Sequence, residues 1–261
     1  MKITVMGCGS SPGTPAAGGF WGACDPKEPR NERTRASLLV QSDTTNIVVD
    51  TSYDLRIHLN RLALQKIDGV LLTHAHSDHI NGIEDLRLIS FHHRKLIDVY
   101  SNKETLDEVE RRWPYMFFTK PDSLYTQFVR RDDVDTNSSF QVGDIKIDSF
   151  AQDHTVCTSL GFRFGNFAYS VDVADLDENS LNRLKGIDIW LVDAASYHNE
   201  SVLTHANLKR VMKWVDRIKP KMTYLTVLSN QMDYQTLCNE LPPHIRPAHD
   251  GMQIDTAGNL R

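Results

Sequence analysis

The 261-residue sequence has no run approaching about 18 uninterrupted apolar residues, so no membrane-spanning helix is expected. Cysteine is scarce: Cys8, Cys24, Cys157 and Cys238 are scattered and form no Cys-x-x-Cys pair. That argues against a disulfide framework and suits a reducing compartment. An excess of positive charge is also missing. The formal net charge is -5, so broad electrostatic attraction to nucleic acid is not expected. The opening stretch from Met1 to Met6 is too short for a secretory signal and runs straight into glycines, which favours the cytoplasm. No internal repeat, low-complexity tract or long linker divides the chain, and residues 1–261 are expected to form one domain. With 40% hydrophobic and 24% charged residues, the composition is that of a globular protein, not a disordered one.

What the chain does contain is a dense cluster of metal-ligand chemistry. His74-Ala75-His76-Ser77-Asp78-His79 directly follows the apolar run Gly69-Val70-Leu71-Leu72-Thr73, which reads as a buried strand. Imidazole and carboxylate are the usual ligands of zinc and related divalent ions. In a loop after a strand, neighbouring side chains can diverge toward two ions. His74 and His76 would grip one ion, while Asp78 and His79 would turn toward a second about 3.5–4 Å away, as in two-metal hydrolases. A terminal affinity tag or an idle histidine-rich loop would lack the strand that precedes this motif.

More ligands are needed from distant segments. His154 follows the strand-like Ile145–Phe150, and Asp172 follows the strand-like Phe167–Val171. Taken alone, each is as readily a solvated or capping residue. Their order after the first motif gives them weight.

At this point the chain resembles the metallo-β-lactamase superfamily. The signature of that family is His-x-His-x-Asp-His, a single His, a single Asp and a last His, each at a strand end. The first three elements appear here as His74/His76/Asp78/His79, His154 and Asp172. The branch that looks most similar is the cyclic phosphodiesterases of bacterial phosphonate breakdown. Met6–Pro15, Arg33–Ser37, Gly82–Arg87, Ser159–Phe162 and Asp250–Met252 carry that likeness. The resemblance implies an α/β fold, specifically a four-layer αββα sandwich. It also implies one or two divalent ions, Zn²⁺ or Mn²⁺, bound as cofactors. His74, His76 and His154 would hold the first ion, Asp78 and His79 the second, with Asp172 bridging both. The reaction implied is hydrolysis of a phosphodiester, with a small cyclic phosphate as the substrate class, by metal-activated water. His205 would contact the substrate phosphate and act as general acid; Asp78 is the other residue assigned to catalysis. An unperturbed pKa of about 6.5 suits a histidine for protonating a leaving alkoxide. A helix-start histidine with only local hydrogen bonds is the plainer account of His205.

Two departures from the family pattern stand out. Val227, in Thr226-Val227-Leu228, occupies the place of the last histidine, and valine cannot ligate a metal. No histidine lies between His205 and His244, so a shift of register does not restore one. Three alternatives stay open: a misplaced register, completion of the site by water or by His249, or a weakened or vacant second site. The second departure is Cys24, which stands alone where characterised relatives carry clustered cysteines, so no structural cysteine zinc is expected.

Other readings in the same fold are a thioesterase and a tRNA 3′-processing enzyme. The first usually brings a C-terminal helical domain and the second a basic arm, and neither is visible. A non-catalytic ligand-binding member is the reading from a different class. A small-molecule substrate is the expected partner, with no membrane or nucleic acid. Oligomeric state is unread, a homodimer being compatible.

The remaining pattern alternates short strands and helices. Ile3–Met6, Ala36–Gln41, Asn46–Asp50 and Met222–Leu228 read as strands, and Tyr53–Leu64, Lys103–Arg112, Leu176–Leu184 and Leu208–Ile218 as helices. Gly143-Asp144 and Gly165-Asn166 mark hairpins. The glycine-rich segment 7–35 with Arg30, Arg33 and Arg35 is either a phosphate cradle or a surface loop with a solvated basic face. His92-His93 is a solvated patch or part of the substrate rim.

Overall fold

The computed structural model describes residues 1–117, 128–131, 134–197 and 203–256. Their first half comprises β1 (Lys2–Gly7), β2 (Ser37–Gln41), β3 (Asn46–Val49), α1 (Leu55–Arg61), β4 (Gly69–Leu71), α2 (Ser77–Ile80), α3 (Arg87–His93), β5 (Ile97–Tyr100), α4 (Lys103–Arg112) and β6 (Phe128–Arg131). The second half comprises β7 (Ser139–Val142), β8 (Ile145–Asp153), β9 (Thr158–Phe164), β10 (Phe167–Ser170), α5 (Glu178–Arg183), β11 (Ile189–Asp193), α6 (Leu208–Ile218), β12 (Met222–Thr226), α7 (Tyr234–Glu240), β13 (Ile245–Pro247) and β14 (Gln253–Asp255).

Among the described residues these strands form two seven-stranded sheets, ordered β14-β1-β2-β3-β4-β5-β6 and β13-β12-β11-β10-β9-β8-β7. Both sheets are mixed. β3, β4, β5 and β6 run parallel, as do β10, β11, β12 and β13, and the remaining neighbours pair antiparallel.

Strand periodicity explains the layering. Side chains alternate between faces, so a strand buried on both sides feeds two cores. Leu38 and Val40 of β2 point into the core between the sheets, where they join Phe162 of β9 and Leu191 of β11. Leu39, between them in sequence, points outward and packs under the helices with Leu55, Leu59 and Leu106. On the other sheet, Trp190 and Val192 turn outward onto Val211, Trp214 and Ile218 of α6. Three apolar layers separate four layers of secondary structure, and the fold is the αββα sandwich implied by the resemblance.

Boundaries follow local chemistry. α4 and α6 match their expected spans, because Asn102 and Asn207 cap them by accepting from the amides of Thr105 and Arg210. α6 ends with Lys219 at φ 56, just before Pro220. The expected hairpins lie at Gly143 (φ 58) and Gly165 (φ 62). α1 is shorter than Tyr53–Leu64, and α5 shorter than Leu176–Leu184. The expected strand Met222–Leu228 stops at Thr226, because Val227 turns to φ 56. Leu228 then donates its amide to Cys8 O at 2.9 Å and accepts from Ser10 N at 3.2 Å, joining the end of β12 to the end of β1 in the other sheet.

The basic cluster of segment 7–35 is committed to structure, not open to a phosphate. Arg33 is buried and donates to Ser229 O and Met232 O. Arg30 pairs with Glu28 and Arg35 with Asp54. A Cβ on Gly7 would meet Arg35 O at 2.1 Å, so the glycine there serves close backbone approach. Asp250 gathers the segment: it accepts from the amides of Cys8 and Thr34 and from Thr34 Oγ1.

His58 of α1 closes this network, with Nε2 at 2.7 Å from Thr34 Oγ1. The Thr34 hydrogen is directed to Asp250, so Nε2–H of His58 donates and Nδ1 is left buried without a partner. Burial therefore pushes the His58 pKa down to about 4, with the Asp54 carboxylate opposing in part. Between about pH 6.5 and 4 the unfolded chain takes up a proton that the folded chain refuses, so stability falls as pH drops through that window. In chelator-treated protein, urea unfolding should show this loss, about 3 kcal/mol from this group. His58→Gln should remove that component. An unchanged wild-type-minus-variant difference between pH 7 and pH 4.5 would show that His58 is not the group responsible.

Candidate metal centre

Side chains at one end of both sheets converge, each delivered by the carboxyl end of a strand. Asp50 follows β3, His74 follows β4, His154 follows β8, Asp172 follows β10, Asp193 ends β11 and Val227 follows β12. Ligands in open α/β sheets bind outside strand carboxyl ends, where strands stop and loops diverge. His76 precedes the single-turn helix α2, which presents Asp78 and His79.

The described residues form three groups whose ligand atoms lie within 4.8 Å of one another: His74, His76, His154 and Asp172; Asp78, His79 and Asp172; and Asp172, Asp193 and His205. Asp172 belongs to all three. Its Oδ2 lies 3.5 Å from His74 Nε2, 3.4 Å from His154 Nε2 and 4.0 Å from His205 Nε2. Its Oδ1 lies 3.3 Å from His79 Nε2. The six residues expected to hold metal are thus brought together, with His205 beside them. His249 is not. Its Nδ1 lies 3.2 Å from Asp250 O and its ring packs 6.1 Å from Tyr234. His92 and His93 end α3 on the outer helical layer, outside all three groups.

Outer hydrogen bonds fix which imidazole nitrogen faces inward. Asp50, fully buried, accepts from Thr73 N and Thr73 Oγ1 and from His79 Nδ1 at 2.7 Å. With its own hydrogen given to Asp50, Thr73 Oγ1 accepts from His74 Nδ1 at 3.0 Å. His154 Nδ1 donates to Thr204 O at 2.6 Å, and His205 Nδ1 to Asp193 Oδ2 at 2.7 Å. Each of the four rings therefore spends Nδ1–H outward and turns Nε2 toward Asp172. His76 completes the set with Nδ1, 3.2 Å from His154 Nε2. Anchoring one ring nitrogen so that the other is free is how proteins orient metal-binding histidines.

Asp50 and Asp193 were not among the expected site residues. Each closes an apolar strand-like run, as Asp172 does, but that position alone does not say what the carboxylate faces.

The electrostatics call for positive charge at the centre. Burial would lower the His79 pKa, but Asp172 and Asp50 on either side outweigh it and hold it well above the usual range. His205 behaves alike: burial opposes its charge, and Asp193 and Asp172 raise it to about 9. Asp78 is kept at about 2, burial being outweighed by His79. His74 and His154 are lowered, chiefly by burial. Among the described residues, His74 Nε2 and Asp172 Oδ1 are buried without a hydrogen-bond partner. Buried orphans of this kind require a partner. A divalent cation meets both demands: it accepts the bare imidazole lone pairs and neutralises the carboxylates. The donor set fits such an ion.

The backbone is strained at the same places. Asp50 (φ 61), Asp172 (φ 51), Thr155 (φ 68) and Val227 (φ 56) all adopt the left-handed region. A β-branched residue there is an outlier, and such strain gathers at functional sites. Val227 thus keeps the strand-end turn seen at Asp50 and Asp172, but its side chain is buried and apolar. Four residues thus make up one candidate metal group, and three make up the group of Asp78, His79 and Asp172.

Comparison with known proteins agrees with this geometry. Residues 45–226 match the family described as the beta-lactamase superfamily domain. An octanoyltransferase of Porphyromonas gingivalis is 29% identical over 262 residues, covering 99% of this chain and 52% of that protein. Exodeoxyribonuclease WalJ of Streptococcus pneumoniae is 26% identical over 168 residues, covering 62% of this chain and 56% of that protein. The chain therefore spans about half the length of these relatives. The crystal structure of a diphosphatase of the PhnP family superposes with a TM-score of 0.87 at 28% identity, over 97% of each chain. With the family matched over most of its length and the sandwich delivering the histidine–aspartate cluster from its strand ends, the chain belongs to the beta-lactamase superfamily and has the metallo-β-lactamase fold.

Proposed function

We propose that this hydrolase cleaves a phosphodiester of a small molecule, with His74, His76, His154 and Asp172 holding one divalent ion and Asp78, His79 and Asp172 a second. The observation that carries this reading is the His205–Asp193 pair beside the candidate metal cluster: an imidazole anchored through Nδ1 to a buried carboxylate, with Nε2 directed to the centre. Similarity to a diphosphatase and an exodeoxyribonuclease is in keeping with phosphate-ester chemistry. When bound, divalent ions supply charge neutralisation for the phosphoryl oxygens and an acidified water.

The protein groups divide the remaining work. Asp78, half-buried and held as a carboxylate, is placed to accept the proton of the attacking water. As the water oxygen bonds to phosphorus, the bond to the leaving oxygen breaks, and His205 Nε2–H passes its proton to that oxygen. Asp193 fixes the ring so that Nε2 faces inward and stabilises the charged form.

Turnover of bis(p-nitrophenyl) phosphate by protein reconstituted with Zn²⁺ or Mn²⁺ tests the reaction class. Hydrolysis of acyl thioesters with no action on the diester would replace this reading.

Three variants test the residue roles. His76→Ala should abolish tight stoichiometric binding of one ion by elemental analysis; undiminished metal content would remove His76 from the ligand set. His205→Ala should lower turnover roughly 10²–10⁴-fold for diesters of poorly acidic alcohols and much less for p-nitrophenolate, which leaves without protonation. An equal loss for both, or loss of bound metal, would contradict the general-acid role. Val227→His should raise metal content from near one ion toward two per chain, because the backbone turn that would deliver a ligand is already present. Wild-type protein binding two ions tightly, with no gain from the histidine, would show that the three-ligand position needs no fourth protein group.

A further inference from the structure

We propose that Val156 and Leu203 form an apolar subsite that receives the organic group on the leaving oxygen, so that the enzyme favours substrates whose leaving alcohol carries an aromatic or aliphatic substituent. This rests on the phosphodiester reading and specifies the side of the substrate that the reading leaves open.

The subsite is built by a strained turn. Val156 N donates to His154 O at 2.7 Å and His154 N to Cys157 O at 3.1 Å, which closes a tight reversal at Thr155, itself at φ 68. A γ-type turn with a β-branched residue at positive φ is costly and persists only where its surroundings impose it. Here Asp153 Oδ1 accepts from Thr155 N at 2.7 Å, and Thr155 Oγ1 donates to Leu203 O at 2.7 Å. His154 Nδ1 donates to Thr204 O at 2.6 Å. The turn is thereby clasped to residues 203–204, the segment that leads into His205.

Two large apolar side chains stand exposed on these clasped segments. Val156 is 67% exposed and Leu203 69%. Each lies two residues from an imidazole of the centre, Val156 from His154 and Leu203 from His205. Cys157, the next residue of the turn, is close enough to the centre that the Asp172 carboxylate adds to the effect of burial in raising its thiol pKa. Because the Thr155–Leu203 bond ties their segments together, these two exposed apolar side chains sit on adjoining backbone rather than scattered over the surface. The rim here adjoins the one histidine placed to protonate the leaving oxygen. A substituent on the oxygen that His205 protonates would lie beside His205, and the exposed apolar side chains on the segments clasped there are Leu203 and Val156.

Benzyl methyl phosphate supplies an internal competition, since either alcohol can leave from the same phosphorus and the two alcohols are of similar acidity. With metal-reconstituted protein, product analysis by NMR should show benzyl alcohol released in excess of methanol by roughly tenfold, the scale of a modest apolar contact. Val156→Ser, Leu203→Ser and the double variant should bring that ratio toward one. Both side chains are solvent-exposed, so melting temperature and metal content should hold, and dimethyl phosphate turnover should be unaffected. Release of both alcohols at a ratio that the variants leave unchanged would overturn the subsite while leaving the phosphodiester reading intact. A preference for methanol would place the organic group on the opposite, retained side and would also overturn it. No release of either alcohol, with dimethyl phosphate equally inert, would instead sink the phosphodiester reading, and the subsite with it.

Discussion

A carboxylate taken out of water costs several kcal/mol unless opposite charge and hydrogen bonds surround it, and Asp172 is such a carboxylate. It is almost wholly buried at the junction of the two sheets, with four imidazole nitrogens within 4.0 Å. Histidine is the one side chain that can meet this demand either as a cation or as a metal ligand. The surrounding architecture serves that arrangement. Asp50 and Thr73 set the rings of His79 and His74, Thr204 sets His154, and Asp193 sets His205. A second layer of buried groups thus decides which nitrogen each histidine offers to Asp172.

Such a layer needs a rigid mount. Strand-end residues in the left-handed region cost of order 1–3 kcal/mol each, and Asp50, Asp172 and Val227 all sit there. The sandwich supports them because each turn is flanked by paired strands and apolar layers: Val49 and Leu71 beneath Asp50 and His74, Tyr169 and Val171 beneath Asp172. A core packed on both faces of both sheets leaves little room for these turns to relax.

The centre is uneven in two senses. Four residues gather in one candidate metal group and three in the next, and the strand-end turn after β12 carries valine in place of a further donor. Its flanks are uneven as well: beside His154 and His205 the turn at Thr155 is clasped to Leu203, with Val156 and Leu203 exposed. Two arginines of segment 7–35 are committed elsewhere: Arg33 is buried against residues 229–232 and Arg35 is paired with Asp54.

The candidate metal motif was legible in the sequence because its chemistry is contiguous. His74, His76, Asp78 and His79 sit in six residues after an apolar strand, and no long-range pairing is needed to see them. The capped helices α4 and α6 were legible for the same reason, since Asn102 and Asn207 stand three residues before the amides they cap. His154 and Asp172 became legible only through family order, and Asp50 and Asp193 not at all: an aspartate at the end of an apolar run carries no mark of what it faces. Their roles were decided by sheet pairing, which sets β3 beside β4 and β11 beside β12, and by the loop that brings residues 203–205 across to His154. The same holds for Val227. The sequence determined that this position has no ligand atom, whereas its left-handed turn belongs to the tertiary structure, in which Leu228 reaches across to Cys8 of the other sheet. Residue type is local, but the direction of a lone pair depends on partners far away in the chain.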